Sequence, residues 1–215
     1  MIKIDKEIKS PINVGLFVTC LADLMRPQVA FAAVTLLESG GCTVRVPREQ
    51  SCCGQPALNS GDRASTTEIA KNVIRAFAED DYVVAPSGSC ADTLINKYST
   101  LFRHDAQWAG RAHKTFELTS FLTEKLDFNL EGVSYPGVCT YHDSCSGLRE
   151  RGIQKQPRQL LAGVKGMALS ELEDSSVCCG FGGLFSVKYP DISGRIVSDK
   201  CAQITQTDAD TVIGG

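Results

Sequence analysis

The first half of the chain shows two patterns of apolar and polar residues in turn. Short apolar runs predict strands, and broad apolar stripes with helical periodicity predict helices. Short runs rich in β-branched and aromatic residues predict strands at "INVGLFV", "CTVRV" and "DYVVAP". Broad apolar stripes predict helices at "QVAFAAVTLLES", from about Asp62 to Glu79, and at "GSCADTLINKYSTLF". This alternation of strand and helix indicates a mainly parallel α/β sheet.

The same order begins again in the second half. Strands are predicted at "GVCTYH", "MALSEL" and "DTVI", and helices at "RQLLAGV" and "DISGRIVSDKCAQI". The less regular middle contains one predicted helix, "FELTSFLTEKL", from Phe116 to Leu126. The sequence therefore predicts an α/β protein of two pseudo-symmetric lobes, each a mainly parallel sheet flanked by helices. We place the first lobe at residues 1–104, a connector at 105–132 and the second lobe at 133–215.

A Cys-Cys-Gly triplet occurs twice, at residues 52–54 and 178–180. Neighbouring cysteines are too close together to form an unstrained disulfide, so the triplets need another explanation. Each is preceded by a single cysteine that follows the first strand of its lobe. There are 31 residues between Cys20 and the first triplet, and 32 between Cys145 and the second. This repeated spacing predicts an internal duplication.

The cysteines near the predicted strand ends are candidate metal ligands. Loops at the carboxyl ends of parallel strands converge on one crevice, so these thiols are expected to meet there. Thiolates are soft ligands that favour iron-sulfur clusters, zinc or Cu(I). Gly54 and Gly180, without a Cβ, let the backbone pass close to a bulky cofactor and aim N–H groups at sulfur. The predicted ligands are Cys20, Cys52, Cys53 and Cys90 in the first lobe, and Cys145, Cys178 and Cys179 in the second.

The second lobe has no visible counterpart of Cys90. Comparison of "YVVAPSGSC" with "DTVIGG" places that counterpart after Gly215, so we expect the lobe to continue there with a further cysteine. Cysteine often behaves as a small buried hydrophobe, and we expect packing roles for three others: Cys42, Cys139 and Cys201. His142 is expected to orient its loop through a hydrogen bond rather than to bind metal.

Composition narrows the possible functions. The chain has 215 residues, 43% of them apolar, and a net charge of -3 without a basic run, which argues against a nucleic-acid partner. No apolar stretch is long enough to span a membrane, and the charged start lacks the apolar core of a secretion signal. We therefore expect a cytoplasmic protein. Ten cysteines in a reducing compartment point to metal or redox chemistry.

The cysteine pattern resembles the cysteine-rich CCG-domain family, which includes the B subunit of heterodisulfide reductase and the iron-sulfur subunit of glycolate oxidase. The resemblance extends to "YHDSC", "CCGFGGLFSVKYPDIS" and Lys200. A short two-lobe chain without a ferredoxin-like domain is most similar to the lactate-oxidising branch of the family. The resemblance implies an oxidoreductase subunit that carries electrons through iron-sulfur clusters, of the [4Fe-4S] type, as L-lactate becomes pyruvate. It also implies two partners, a ferredoxin-type iron-sulfur protein and a third subunit. Our expectation of a cytoplasmic protein leaves room for peripheral membrane association through these partners.

One departure from the family pattern keeps other functions open. The family motif ends in a Cys-x-x-Cys pair, and the first member of that pair is Ser87 here. Four thiols remain in the first lobe, which suit an ordinary four-thiolate cluster or a zinc ion. One alternative is therefore a structural or docking subunit with zinc in at least one lobe. Another alternative is a thiol-disulfide reductase of the heterodisulfide type. Ser87 argues against this alternative, because it replaces a cysteine of the family motif.

Overall fold

The computed structural model describes residues 11–109, 114–130 and 132–215. The charged amino-terminal segment and parts of the predicted connector lie outside these ranges. The strands are β1 (Ile12–Leu16), β2 (Cys42–Arg45), β3 (Tyr82–Ala85), β4 (Thr115–Glu117), β5 (Ser134–His142), β6 (Lys165–Leu169) and β7 (Thr211–Gly214).

Helices fill the connections between these strands. Two π-helical turns accompany them, at Thr93–Lys97 between α5 and α6 and at Ser146–Glu150 after β5. The helices are α1 (Cys20–Met25), α2 (Gln28–Ser39), α3 (Gln55–Asn59), α4 (Arg63–Ala76), α5 (Gly88–Asp92), α6 (Tyr98–Leu101), α7 (Ala106–Ala109), α8 (Leu118–Glu124), α9 (Lys155–Leu161), α10 (Leu184–Lys188) and α11 (Pro190–Thr205). Within the described ranges, no helix combines the length and apolar character needed to cross a bilayer.

Two parallel sheets organise the chain. The first has the strand order β2-β1-β3-β4 and the second the order β6-β5-β7. In each sheet, the strand that precedes the first cysteine of the lobe lies between the two strands that follow it in sequence. The predicted α/β class, with two parallel sheets flanked by helices, is confirmed. The internal duplication remains a prediction from the cysteine spacing.

Strand β4 was not predicted. The sequence indicated one helix over Phe116–Leu126, but residues 115–117 extend and pair with β3. The reason is local, because Glu117 caps the following helix by accepting a hydrogen bond from the Ser120 N–H at 3.1 Å. Helix α8 consequently begins at Leu118, and part of the predicted connector belongs to the first sheet.

The two faces of β1 pack against different helices. Val14 and Leu16 are fully buried with Leu37 of α2, whereas Phe17 packs on the other side with Val73 of α4. Apolar residues therefore cover both sheet faces, as expected for a parallel sheet. A core residue of the second lobe, Leu160 of α9, joins the cluster around Val14 and Leu16, so the two lobes share a hydrophobic core.

The carboxyl ends of β3 and β5 meet at a pair of glycines. A Cβ on Gly88, which begins α5, would lie only 2.8 Å from the backbone nitrogen of Gly147. Gly147 lies in the π-helical turn after β5, so the two turns touch backbone to backbone. This contact brings the turn that carries Cys90 beside the turn that follows Cys145.

A buried carboxyl group lies in the small cavity between the lobes, and we expect it to make stability depend on pH. Burial raises the pKa of Glu117, although hydrogen bonds with Thr119 and Ser120 oppose the shift. A raised folded-state pKa contributes stability below the unfolded value, about 4.3, that is lost as pH rises through the folded value. Relative to wild type, the Glu117→Gln variant is therefore expected to gain stability as pH rises from about 4 through the raised folded-state pKa of Glu117.

Urea unfolding at a series of pH values measures this difference. The exposed Glu68→Gln change is the matched control and should give a difference that is small at every pH. A Glu117→Gln difference that does not change with pH would contradict the assignment.

Candidate metal centre

Four thiols from three loops meet in the first lobe. Cys20 begins α1, the 52–53 pair lies in the loop after β2, and Cys90 lies in α5. The Sγ atoms of Cys20 and Cys52 are 3.6 Å apart, and those of Cys53 and Cys90 are 3.5 Å apart. A side-chain contact between Cys52 and Cys53 joins the two pairs. We call these four residues the lobe-one thiol site, and the predicted convergence of their loops is present.

The four thiols of this site differ in pKa. Burial raises the pKa of Cys20, and the contact with Cys53 followed by burial raises that of Cys52. The contact with Cys52 lowers the pKa of Cys53, but the bond to Cys90 and burial outweigh it and raise the value to about 12. Cys90 has a lowered pKa because it accepts the hydrogen bond from Cys53. Metal ligation must therefore displace protons, which makes binding stronger as pH rises.

Two neighbouring hydroxyl groups support the site. Tyr98 donates its hydroxyl to the backbone carbonyl of Cys53 at 2.9 Å, which fixes the buried end of the triplet. Ser87 stands where the family has a further cysteine, and its side chain bonds to the Cys90 thiol, which helps to lower that pKa. Ser87 therefore supplies a hydrogen bond to the site rather than a fifth sulfur.

Cys145, Cys178 and Cys179 form the lobe-two thiol site. The Gly180 N–H donates to the Cys178 sulfur at 3.3 Å, which is the kind of contact that the sequence predicted for this glycine. Burial, followed by a bond to Cys178, raises the pKa of Cys145. All three cysteines are partly buried and unpaired by disulfides.

An arginine anchors the loop that carries Cys145. Both Nη atoms of Arg158 donate to the carboxylate of Asp143 at 2.8 Å, and the guanidinium also binds Glu171 at 2.6 and 2.7 Å. It lies over the ring of Tyr141 as well, with 5.2 Å from its central carbon to the ring centre. Sequence reasoning missed Arg158, since its partners are 13 and 15 residues away and no local motif joins them.

The thiols have the chemistry of a cluster site without forming a closed cage. Among the described residues, no three or more His, Cys, Asp or Glu side chains surround a position suited to one metal ion. In the first lobe the sulfurs instead form a chain of contacts from exposed Cys20 to buried Cys90. Four soft sulfurs on three loops match the donor set that iron-sulfur clusters require, so the residues fit such a group in kind and number.

Three other residues test the sequence predictions. Cys42 and Cys139 are buried, as expected for packing residues. The expectation that Cys201 packs was wrong, because it is exposed on α11. The buried Nδ1 of His142 has no hydrogen-bond partner in the described part of the chain, so a loop-orienting bond from this imidazole stays a prediction.

Gly180 is expected to tolerate substitution worse than Gly54. Both have φ near +80°, but an added Cβ at Gly180 would lie 2.7 Å from the backbone oxygen of Ser193, whereas at Gly54 the nearest atoms would belong to side chains, the closest of them Ile69 at 3.2 Å. Left-handed strain and overpacking together make Gly180→Ala destabilising by about 3 kcal/mol. Gly61→Ala isolates the strain, because Gly61 has φ +83° and open space, and should cost about 1 kcal/mol.

Denaturant unfolding of the metal-free protein ranks these variants. We expect Gly180→Ala to be the least stable and Gly61→Ala the most stable, with Gly54→Ala between them. Equal stability of Gly180→Ala and Gly61→Ala would contradict the packing of the triplet against α11.

Comparison with known proteins identifies the family. The model of a cysteine-rich domain, CCG, matches residues 14–95 and 139–215. Lactate utilization protein A of Exiguobacterium sp. is 46% identical over 208 residues, which cover 94% of this chain and 84% of that protein. Proteins of the same name from Geobacillus kaustophilus and Geobacillus thermodenitrificans are 46% and 47% identical over 206 residues, covering 94% of this chain and 86% of theirs. The chain therefore belongs to the CCG cysteine-rich domain family, in the group whose members are named lactate utilization protein A.

Proposed function

We propose that this protein is an iron-sulfur electron-transfer subunit of a system that oxidises L-lactate to pyruvate. The observation that carries the proposal is the convergence of four thiols from three loops in the first lobe. The names of the relatives supply the substrate, since each is called a lactate utilization protein. A bound iron-sulfur cluster supplies one-electron chemistry that no protein side chain of this site offers.

Cysteines and glycines have different roles in holding an iron-sulfur cluster in this proposal. Cys20, Cys52, Cys53 and Cys90 are the proposed ligands in the first lobe, and Cys145, Cys178 and Cys179 in the second. Gly54 and Gly180 keep the triplet backbone close to the sulfurs, and the Gly180 N–H already donates to one of them. Hydrogen bonds to sulfur raise the reduction potential of a cluster.

A contact between the two thiol-bearing turns supports two neighbouring sites in this proposal. Cys90 lies two residues after Gly88, and Cys145 two residues before Gly147, and these glycines touch. Lactate oxidation releases two electrons and two protons, whereas a cluster accepts one electron at a time. Two neighbouring one-electron sites in one subunit suit the transfer of such a pair.

The carbon chemistry belongs to partner subunits in this proposal. We propose a ferredoxin-type iron-sulfur protein and a third subunit as partners. Cys20, exposed at the end of the lobe-one thiol chain, is the point nearest to solvent for exchange with them.

Growth on L-lactate tests the proposed function. A strain that lacks this gene should regain growth with the wild-type gene and with Cys201→Ser, which changes an exposed thiol outside both sites. The Cys90→Ser variant should fail while accumulating as folded protein. Full growth with Cys90→Ser would overturn the proposal.

A further inference from the structure

The two lobes differ directly beneath their thiol sites. In the first lobe, Phe17 lies three residues before Cys20 and is fully buried against Val73 of α4. In the second lobe, the residue three positions before Cys145 is His142. An apolar ring in one lobe therefore corresponds in position to an imidazole in the other.

The helix that packs on this side differs in the same way. Val73 lies one turn after Ile69, the residue that faces the lobe-one triplet. Lys200 lies one turn after Ile196, which faces the lobe-two triplet, and it is only 3% exposed. A buried valine in one lobe thus corresponds to a buried lysine in the other.

His142 of β5 lies within electrostatic reach of Lys200 of α11. Side chains alternate along a strand, and the Tyr141 ring lies against Arg158 of α9, so Thr140 and His142 point to the opposite face. Burial and then the charge of Lys200 lower the pKa of His142, with the Asp143 carboxylate opposing, so the imidazole is neutral near pH 7. The positive charge of this face is that of Lys200.

Polar groups in this layer lack the partners that buried groups normally have. Thr140 Oγ1, His142 Nδ1 and Gln203 Oε1 are buried without a hydrogen-bond partner among the described residues. Lys200 Nζ donates to the backbone carbonyls of Asp174 and Ser175, at 3.2 and 3.5 Å. In the described part of the chain no carboxylate pairs with it, and a buried unpaired cation normally destabilises a fold.

The loop that leads into the lobe-two triplet holds the Lys200 ammonium. The two carbonyls that hold it belong to the loop that leads into the lobe-two triplet, a few residues before Cys178. A cation held there favours any state of the thiol site that carries more negative charge. The apolar layer under the lobe-one thiol site, formed by Phe17 and Val73, provides no such charge.

We propose that Lys200, supported by His142, is a positioning residue that makes the lobe-two thiol site the electron-accepting end of the subunit. This inference rests on the proposed electron-transfer function. With a cluster held at each site, one electron would pass from the lobe-one site, which would be oxidised, to the lobe-two site, which would be reduced, with no bond made or broken and no proton transferred. The pair Phe17 and Val73 keeps the lobe-one site the poorer acceptor.

Potentiometric titration followed by EPR, on protein prepared without oxygen, tests this role. Lys200→Met should lower the reduction potential of the lobe-two site by at least about 59 mV, which is a tenfold change in the equilibrium constant for one electron. The reduction potential of the lobe-one site should not change. Lys200→Arg keeps the charge and should restore most of the potential. Val73→Met introduces the same side chain at the corresponding place in the first lobe and should shift neither potential. An unchanged lobe-two potential in Lys200→Met, or equal shifts in both lobes, would overturn the inference.

A second variant distinguishes loss of the Lys200 charge from misfolding of the protein. The double change His142→Phe with Lys200→Val installs the lobe-one pair, and replacing buried polar groups by apolar ones is often neutral or stabilising. It should fold at least as stably as wild type and show the lowered lobe-two potential, and a wild-type potential would count against the role of Lys200. Iron and sulfide content separates the two claims: iron present without a shift removes only this inference, whereas absence of iron removes the proposed function with it.

Discussion

Cys20→Ser is expected to remove the iron of the lobe-one site without unfolding the lobe. Cys20 is exposed, so the smaller hydroxyl disturbs no core packing, yet its sulfur lies 3.6 Å from that of Cys52 and begins the thiol chain. A serine hydroxyl is a hard, weakly acidic ligand and a poor substitute for thiolate toward iron in a cluster. Changes behind the ligands of a metal site already cost about 10–100-fold, so loss of a ligand should reduce lactate-dependent electron transfer by at least about 100-fold.

Cys201→Ser is the matched control for this prediction. It makes the same atomic change at another exposed cysteine on a helix, outside both thiol sites. Iron content, visible absorption and the circular dichroism spectrum should all match wild type in Cys201→Ser. In Cys20→Ser, only the circular dichroism spectrum should match wild type. Retention of full iron and visible absorption by Cys20→Ser would show that Cys20 is not a ligand.

Arg158→Gln is expected to be the most destabilising single change outside the hydrophobic core, by about 3–5 kcal/mol. The Asp143 side chain is fully buried, and the guanidinium holds both of its oxygens at 2.8 Å. Glutamine cannot replace these two bonds and the bonds to Glu171 together. The variant therefore leaves an uncompensated buried carboxylate two residues before Cys145, and the lobe-two thiol site should lose order with it.

Two comparisons isolate this cause. Arg195→Gln removes an exposed i,i+4 ion pair with Asp199 and should change stability by less than about 0.5 kcal/mol. Adding Asp143→Asn to Arg158→Gln removes the orphaned charge and should recover part of the loss. A loss below about 1 kcal/mol for Arg158→Gln in urea unfolding would contradict a structural role for the pair.

The parts of the fold that follow from local pattern could be predicted. Short runs rich in β-branched and aromatic residues, such as "DYVVAP", predict the strands, and the parallel order then brings Cys20, Cys52, Cys53 and Cys90 to one sheet edge. The convergence follows from topology alone, because it needs only the position of each cysteine after its strand.

The parts that depend on tertiary contacts could not be predicted. Strand β4 has three residues, too few for a period to be visible, and its pairing with β3 decides its conformation. Cys201 lies on a helix whose apolar stripe is weak, so its outward direction had no sequence signal. The sequence gives no sign that Lys200 is buried, and only the fold shows it 3% exposed and within electrostatic reach of His142.

The central claim is most directly tested by iron and acid-labile sulfide content, with EPR, on full-length protein purified without oxygen. We expect iron with matching sulfide, and an EPR signal that changes on reduction. Zinc without sulfide, with no signal on reduction, would contradict it and favour a structural subunit held together by its thiols.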